Sequence, residues 1–238
     1  MIKSKFFYRL YKAAGQKPSY YLGTAFPIAP GGTLMTCRHV VDVSFEKDEY
    51  LAVFDEESKK LFPVGEVNYP KDPNLDIAIL PNAFNDKRKE YIPFLSPYDL
   101  KVGEDVYSMG FFNEHENNVT TQDGYFGGKI VNFRNAIHSE HAALTLPFAI
   151  IEGLSGSPIL TYHNGVKVVG MAIGSKSARV VASEVIEYED EKLQLKETIS
   201  RIIEFGIAYH VDTLINATKE MKVKNVTVSS DSVEIPNL

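Results

Sequence analysis

The chain is a succession of short β-forming runs punctuated by turn residues, and that pattern restricts its fold more than any other feature. Candidate strands are Tyr20–Ile28, Leu34–Thr36, Tyr50–Phe54, Leu61–Tyr69 and Asp76–Leu80. Further candidates are Asp105–Met109, Val119–Gly124, Gly128–Phe133, Ala142–Leu146, Ser157–Tyr162, Val166–Ile173 and Phe205–His210. They are rich in Val, Ile, Tyr, Phe and Thr, which suit a pleated half-buried surface, and are bounded by Gly, Pro, Asn or Asp. His163-Asn164-Gly165 predicts a tight hairpin turn, because Asn and Gly accept positive φ. Helical signals within this pattern are few: one turn at Arg38–Asp42 and a terminal helix at Val211–Met221, with Val211, Leu214 and Ile215 on one face. Many strands without interspersed helices predict an all-β barrel or sandwich rather than a parallel α/β sheet.

At 238 residues with 44% hydrophobic content, the chain can bury a sizeable core as one unit. Lys222–Leu238 is polar and reads as a loose tail. Ser183–Ile203 departs from the strand pattern. Glu184, Glu187, Glu189, Asp190 and Glu191 precede a helix-compatible run, Lys192–Ile203, so the segment reads as a solvated insertion or as a lid or exosite. A net charge of −6 disfavours nucleic acid as a partner, since phosphates need clustered Lys and Arg. No run approaches the roughly 20 apolar residues that span a bilayer, so no membrane partner is expected. At the N-terminus Tyr8, Arg9, Tyr11 and Lys12 interrupt any apolar run of signal-peptide length. Cys37 is the single cysteine, which rules out an intrachain disulfide and points to a reducing, cytoplasmic compartment.

Three residues stand in contexts unusual for their types. Ser155 lies in Gly153-Leu154-Ser155-Gly156-Ser157-Pro158, where flanking glycines permit a tight turn that exposes a side chain and gathers backbone N–H groups. Taken alone, the segment is equally an ordinary Gly/Ser/Pro loop. His39 ends the apolar approach Leu34-Met35-Thr36-Cys37-Arg38, where a partly buried strand-end histidine is the plain alternative. Asp76 leads the run Ile77-Ala78-Ile79-Leu80 and needs a partner to stay charged there, with Asp72 as its rival. Serine becomes a useful nucleophile when a histidine can take its proton and a carboxylate orients that histidine.

Together these segments resemble the trypsin-like (chymotrypsin-fold) serine peptidases, most closely the compact bacterial type, from about Tyr20 to Leu214. GTAFPIAPGGTLMTCRHVV looks like the family's histidine segment, DPNLDIAIL like its aspartate segment and EGLSGSPIL like its serine segment, in the family's order. Val106–Phe111 and Val169–Gly174 resemble strands that recur beside those motifs. The resemblance implies two packed six-stranded antiparallel β-barrels and a closing helix. It implies His39 as general base, Asp76 as its orienting partner, Ser155 as nucleophile, and the Gly153 and Ser155 amides as oxyanion hole. One peptidase domain would cover residues 1–222, its two barrels dividing near 95–105, with a possible insertion at 183–203 and a tail at 223–238.

The same resemblance places Ala149, Ile150, Glu152, Ala172, Ile173 and Gly174 around the substrate. Uncharged Ala149 at the pocket base argues for small or apolar side chains over Lys or Arg, whereas His141 and Thr145 could instead build a polar pocket for acidic residues. Leu154 stands where zymogen-type members carry the Asp that pairs with a freed N-terminus, so that activation switch is missing and the site is either constitutively formed or controlled another way, by a partner or by Ser183–Ile203. The implied function is a serine endopeptidase on protein or peptide substrates, held in check by a regulatory protein partner and serving as an effector in stress or antiviral signalling. The competing function is an inactive peptidase-fold module that binds peptides. An α/β-hydrolase is disfavoured because Ser157 and Pro158 replace the elbow's glycine and helix and the histidine precedes the serine. No cofactor is expected. His138 and His141 lack the neighbours of a metal set, and Cys37 reads as a small core residue rather than a nucleophile.

Overall fold

A computed structural model describes residues 6–84, 90–113, 121–136, 140–189 and 192–229, with backbone alone at 185–189 and 192–197. The first six strands form one antiparallel sheet. They are β1 (Tyr8–Ala14), β2 (Lys17–Ala29), β3 (Thr33–Thr36), β4 (Glu49–Asp55), β5 (Lys60–Pro63) and β6 (Ala78–Leu80), in the order β5-β4-β1-β2-β3-β6. No ladder joins the outer strands β5 and β6 among the described residues. The chain leaving β5 instead reaches β6 through a single bridge, Asn68 to Ile79. Leu61–Tyr69, expected as one strand, therefore pairs as a ladder only through Pro63.

Among the described residues the second sheet has nine strands. Six follow the order β10 (Asn132–Asn135), β11 (Ala142–Leu146), β14 (Lys192–His210), β13 (Val166–Glu189), β12 (Pro158–Tyr162) and β8 (Asp105–Asn113), and β9 (Thr121–Lys129) closes that row. β7 (Phe94–Leu95) and β15 (Val228–Ser229) attach beside β13 by parallel pairing. The expected all-β architecture of two packed lobes is present, but as one six-stranded and one nine-stranded sheet rather than two closed six-stranded barrels. Among the described residues the α-helices are α1 (Arg38–Val41) and α2 (Val211–Glu220), as the sequence patterning predicts.

Three expectations are corrected. β1 was not foreseen, because Arg9 and Lys12 interrupt its apolar residues; they alternate with buried Tyr8, Leu10, Tyr11 and Ala13 on a half-buried strand. Lys192–Ile203 is not helical but belongs to β14, where pairing with β13 overrides a weak local preference. The tail does not begin at Lys222. Val223 and Val226 pack against the core, and Phe94 N–H donates to Thr227 O at 3.0 Å, which carries the folded unit to Ser229. The main core runs through both lobes, from Leu34, Ile77 and Ile79 to Val168, Met171 and Ile207 and on to Val211, Leu214 and Ile215 of α2. No helix among the described residues is long and apolar enough to cross a membrane.

Candidate active site

The ladder between β3 and β6 sets the first two candidate side chains together. Leu34 pairs with Leu80, Met35 with Ile79 and Thr36 with Ala78, a register that extrapolates to Arg38 opposite Asp76. β3 passes through Cys37 into the single turn of α1, anchored by buried Val40 and Val41, which carries His39. The His39 amide donates to Asp76 Oδ1 at 2.9 Å, and His39 Nδ1 lies 2.6 Å from Asp76 Oδ2. In the neutral ring this contact assigns the proton to Nδ1 and leaves the Nε2 lone pair available. Asp76 is held from the far lobe too, since its N–H donates to the Tyr209 hydroxyl at 2.9 Å. The rival carboxylate is engaged elsewhere: Asp72 accepts from the Asn74 amide and pairs with His141 Nε2 at 2.8 Å.

Ser155 sits in a turn that only glycines could form. Gly153 has φ +95 and Gly156 φ +83, both left-handed. A Cβ on Gly153 would meet the Tyr21 ring at 2.6 Å, and one on Gly156 would meet Thr24 O at 2.1 Å. The turn is bonded to the first lobe by Thr24 N–H to Ser155 O at 3.0 Å and to β13 by Gly156 N–H to Ala172 O at 2.9 Å. Gly23 lies in the gap between the two halves of the site, where a Cβ would be 2.9 Å from Val40 and 3.1 Å from Ser155 O. Val40, the residue after His39, and the Ser155 carbonyl thus both lie against Gly23 where the lobes meet. Among the described residues no hydrogen bond joins their side chains, and such contacts are commonly loose before substrate arrives. Ser157 is different: it is fully buried, and its Oγ finds no hydrogen-bond partner among the described residues.

Two hydroxyls that sequence reasoning missed fix the serine turn. Tyr21 Oη lies 2.8 Å from Gly153 O and 3.0 Å from Phe111 O, while Thr24 Oγ1 lies 3.0 Å from Gly153 O and accepts from Phe111 N–H at 3.2 Å. Two hydroxyl protons thus serve two buried carbonyls on the opposite lobe. Nothing local marks these residues, because their partners lie about ninety to more than a hundred positions away along the chain.

The chain matches the trypsin-like peptidase domain over residues 23–171, a span that holds His39, Asp76 and Ser155. It belongs to that family. Among solved structures this trypsin-like peptidase domain is similar to the HtrA-type protease AlgW with a decapeptide, at 15% identity and TM-score 0.60, covering 94% of this chain and 66% of that one. It is also similar to Deg5, at 14% identity and TM-score 0.61, covering 94% and 92%. At these identities the likeness speaks for the fold, and the chain spans about two thirds of AlgW. No curated protein sequence matches it.

The residues expected around the substrate lie on two adjoining segments, 149–152 and 172–174. Ala149 is half-buried, Ile150 buried and Glu152 exposed on one; Ala172 is buried and Ile173 and Gly174 half-buried on the other. Ser175 Oγ clamps them by bonding Ile150 N–H at 2.6 Å and Ile150 O at 3.2 Å. His141 and Thr145 do not join these segments. His141 lines a cavity of about 310 Å³ with Leu75, Asp212 and Glu220, and Thr145 is buried within the second sheet. Leu154 is fully buried among Leu144, Ile150, Ile159 and Val169, so apolar packing occupies the place of a switchable ion pair.

The potential ligand atoms of Cys37, His39 and Asp76 lie within 4.8 Å of one another, a spacing that an ion could bridge. Full burial and the Asp76 charge push the Cys37 thiol well up, and Sγ already donates to Ala172 O at 3.2 Å. Both keep a thiolate from forming and work against a metal there. His138 lies outside the described residues.

Proposed function

We propose that this domain is a serine endopeptidase using Ser155, His39 and Asp76. The observation that carries the reading is the two-point contact between His39 and Asp76, beside a glycine-held turn that presents Ser155 and withholds Ser157. His39 Nε2 takes the Ser155 Oγ proton as Oγ bonds to the scissile carbonyl carbon. The carbonyl oxygen gains negative charge, which the Gly153 and Ser155 amides stabilise; neither donates to a backbone carbonyl among the described residues. Collapse of the adduct breaks the C–N bond, and the imidazolium gives its proton to the leaving amine. Water then attacks the acyl-enzyme, with His39 taking its proton, and releases the acid and Ser155. Every group required is an amino-acid side chain or amide, so no cofactor enters.

The walls at Ala149–Glu152 and Ala172–Gly174 suit a peptide with a small or apolar residue before the scissile bond. Since Leu154 packs the turn without a charge pair, restraint falls to a regulatory protein partner, in keeping with a cytoplasmic effector of stress or antiviral signalling. Reaction with a fluorophosphonate probe tests the reading. Labelling is expected in the wild type and in Ser157→Ala, and is expected to vanish in Ser155→Ala. Absence of labelling in the wild type, alone and with cell extract, would replace this reading by that of a peptide-binding module. Cleavage of one cellular protein only when a partner is added would bear out the restraint, whereas broad activity of the isolated chain would refute it.

A further inference from the structure

β13 and β14 continue far beyond the sheet that contains them. β12 pairs with β13 only as far as Met171, and β11 pairs with β14 only from Gly206 onward. Past those points, among the described residues, the two strands pair only with each other, out to Glu189 opposite Lys192. At roughly 3.3 Å per residue this ribbon reaches on the order of 50 Å from the body. Two-stranded ribbons are marginal in water and their open edges invite pairing, so proteins usually blunt them. This one instead exposes Val180, Val181, Ile199, Ile202 and Ile203, with Ile202 at 72% and Val181 at 57%.

The exposed aliphatic residues are not gathered on one face. Residues opposite each other share a face, so Ala178 and Ile203 lie on one side and Arg179 and Ile202 on the other, while adjacent Val180 and Val181 divide between the two. A globular partner laid on the ribbon would cover one face only. A strand added at the edge sends its side chains alternately to both, and so meets both sets. The two edges also differ in position. That of β14 is separated from the cleft by β13, whereas that of β13 leaves the body at Ala172, whose carbonyl is bonded to the residue after Ser155.

We propose that the outer edge of β13, from Gly174 to Val181, is an exosite for the substrate's own chain, which adds to it as an extended strand. The inference rests on the reading of Ser155 and Ala172–Gly174 as the cleft. Beside the ribbon the strands flanking β13, β12 and β14, are antiparallel to it, whereas β7 runs parallel only at Val168, so a strand that continues the edge β12 leaves at Met171 takes the antiparallel sense. β13 runs outward from the cleft, so an antiparallel substrate runs inward, and its residues on the ribbon precede the scissile bond. The substrate class is therefore a locally unfolded protein with an aliphatic-rich segment N-terminal to the cut.

The test uses binding, so it does not depend on catalysis. Two Ser155→Ala proteins are compared, one with the full ribbon and one in which an Asn-Gly turn joins the opposed residues Lys176 and Phe205. The probe is fluorescent, reduced and carboxymethylated α-lactalbumin, a permanently unfolded chain, followed by anisotropy, with the native form as competitor. The full ribbon is expected to bind at least tenfold more tightly than the shortened form, with no competition from native protein. Val181→Lys in the full ribbon is expected to weaken binding and leave the melting temperature unchanged, which guards against misfolding of the shortened form. Equal binding by both forms, or binding by neither, overturns the proposal. So does a ribbon-dependent dimer in sedimentation without binding to the unfolded chain. In the Ser155 protein, lengthening peptides before the cut is expected to lower KM at least tenfold, and an equal fall from lengthening after it refutes the orientation. Loss of fluorophosphonate labelling alone would count against the peptidase reading and leave the binding result standing.

Discussion

The hydroxyl of Tyr209, on β14 of the second lobe, accepts a hydrogen bond at 2.9 Å from the backbone N–H of Asp76, which belongs to the first. The carboxylate that orients His39 is thus positioned across the lobe boundary. Burial pushes the Tyr209 phenol up to about 12, so it stays neutral at any physiological pH. Tyr209→Phe leaves the amide without its acceptor, at a cost of ~1–3 kcal/mol. The expected outcome is a lower melting temperature together with slower acylation, measured as the rate of fluorophosphonate labelling.

Asp76→Asn keeps the volume but reverses the hydrogen-bonding role at Nδ1, which favours the wrong imidazole tautomer. Turnover of a peptide substrate is expected to fall by about 10⁴-fold with little change in KM. Asp72→Asn, which touches His141 rather than His39, is expected to leave turnover within a few-fold of wild type.

Gly156→Ala and Gly174→Ala separate structural from substrate-facing glycines. A methyl on Gly156 would press into Thr24 O and Thr36 Oγ1 at a left-handed φ, so the variant is expected to lose several kcal/mol of stability and all labelling. A methyl on Gly174 meets nothing within 4 Å. That variant is expected to melt like wild type and to raise KM, because the methyl stands on the wall where the peptide would lie.

Cys37 is fully buried with its thiol pushed well up, chiefly by desolvation. Iodoacetamide is expected to leave native protein unmodified by mass spectrometry and its fluorophosphonate labelling unchanged, and to modify Cys37 only after denaturation. Modification of native protein with parallel loss of labelling would assign Cys37 a role in the chemistry.

His210 caps α2, its Nδ1 accepting from the Asp212 amide at 3.1 Å, and burial lowers its pKa. The cap requires the neutral ring. Its contribution is full above the ordinary histidine value near 6.5 and is lost as pH falls through the lower folded value. The melting temperature is expected to drop between pH 7 and pH 5, and to drop less in His210→Asn, whose amide oxygen caps at either pH.

Much of this was legible in residue order. Alternating apolar runs, turn residues at Asn164-Gly165 and the α2 periodicity are short-range patterns, and they specified an all-β chain closed by a helix. Gly153 and Gly156 announced a turn around Ser155 because only glycine reaches that φ without strain. What the sequence could not show was set by partners distant along the chain. The resemblance implies Asp76 and Ser155, but the contact of Asp76 rather than Asp72 with His39 follows from the β3–β6 register, and the burial of Ser157 rather than Ser155 from packing against Gly110. The roles of Tyr21, Thr24 and Tyr209 arise only when the lobes meet. Likewise Lys192–Ile203 became a strand because its hydrogen-bond partners lie on β13, and a local preference of a few tenths of a kcal/mol per residue does not outweigh a ladder. Local chemistry wrote the parts of the candidate site, and the contact between two lobes decided which of them meet.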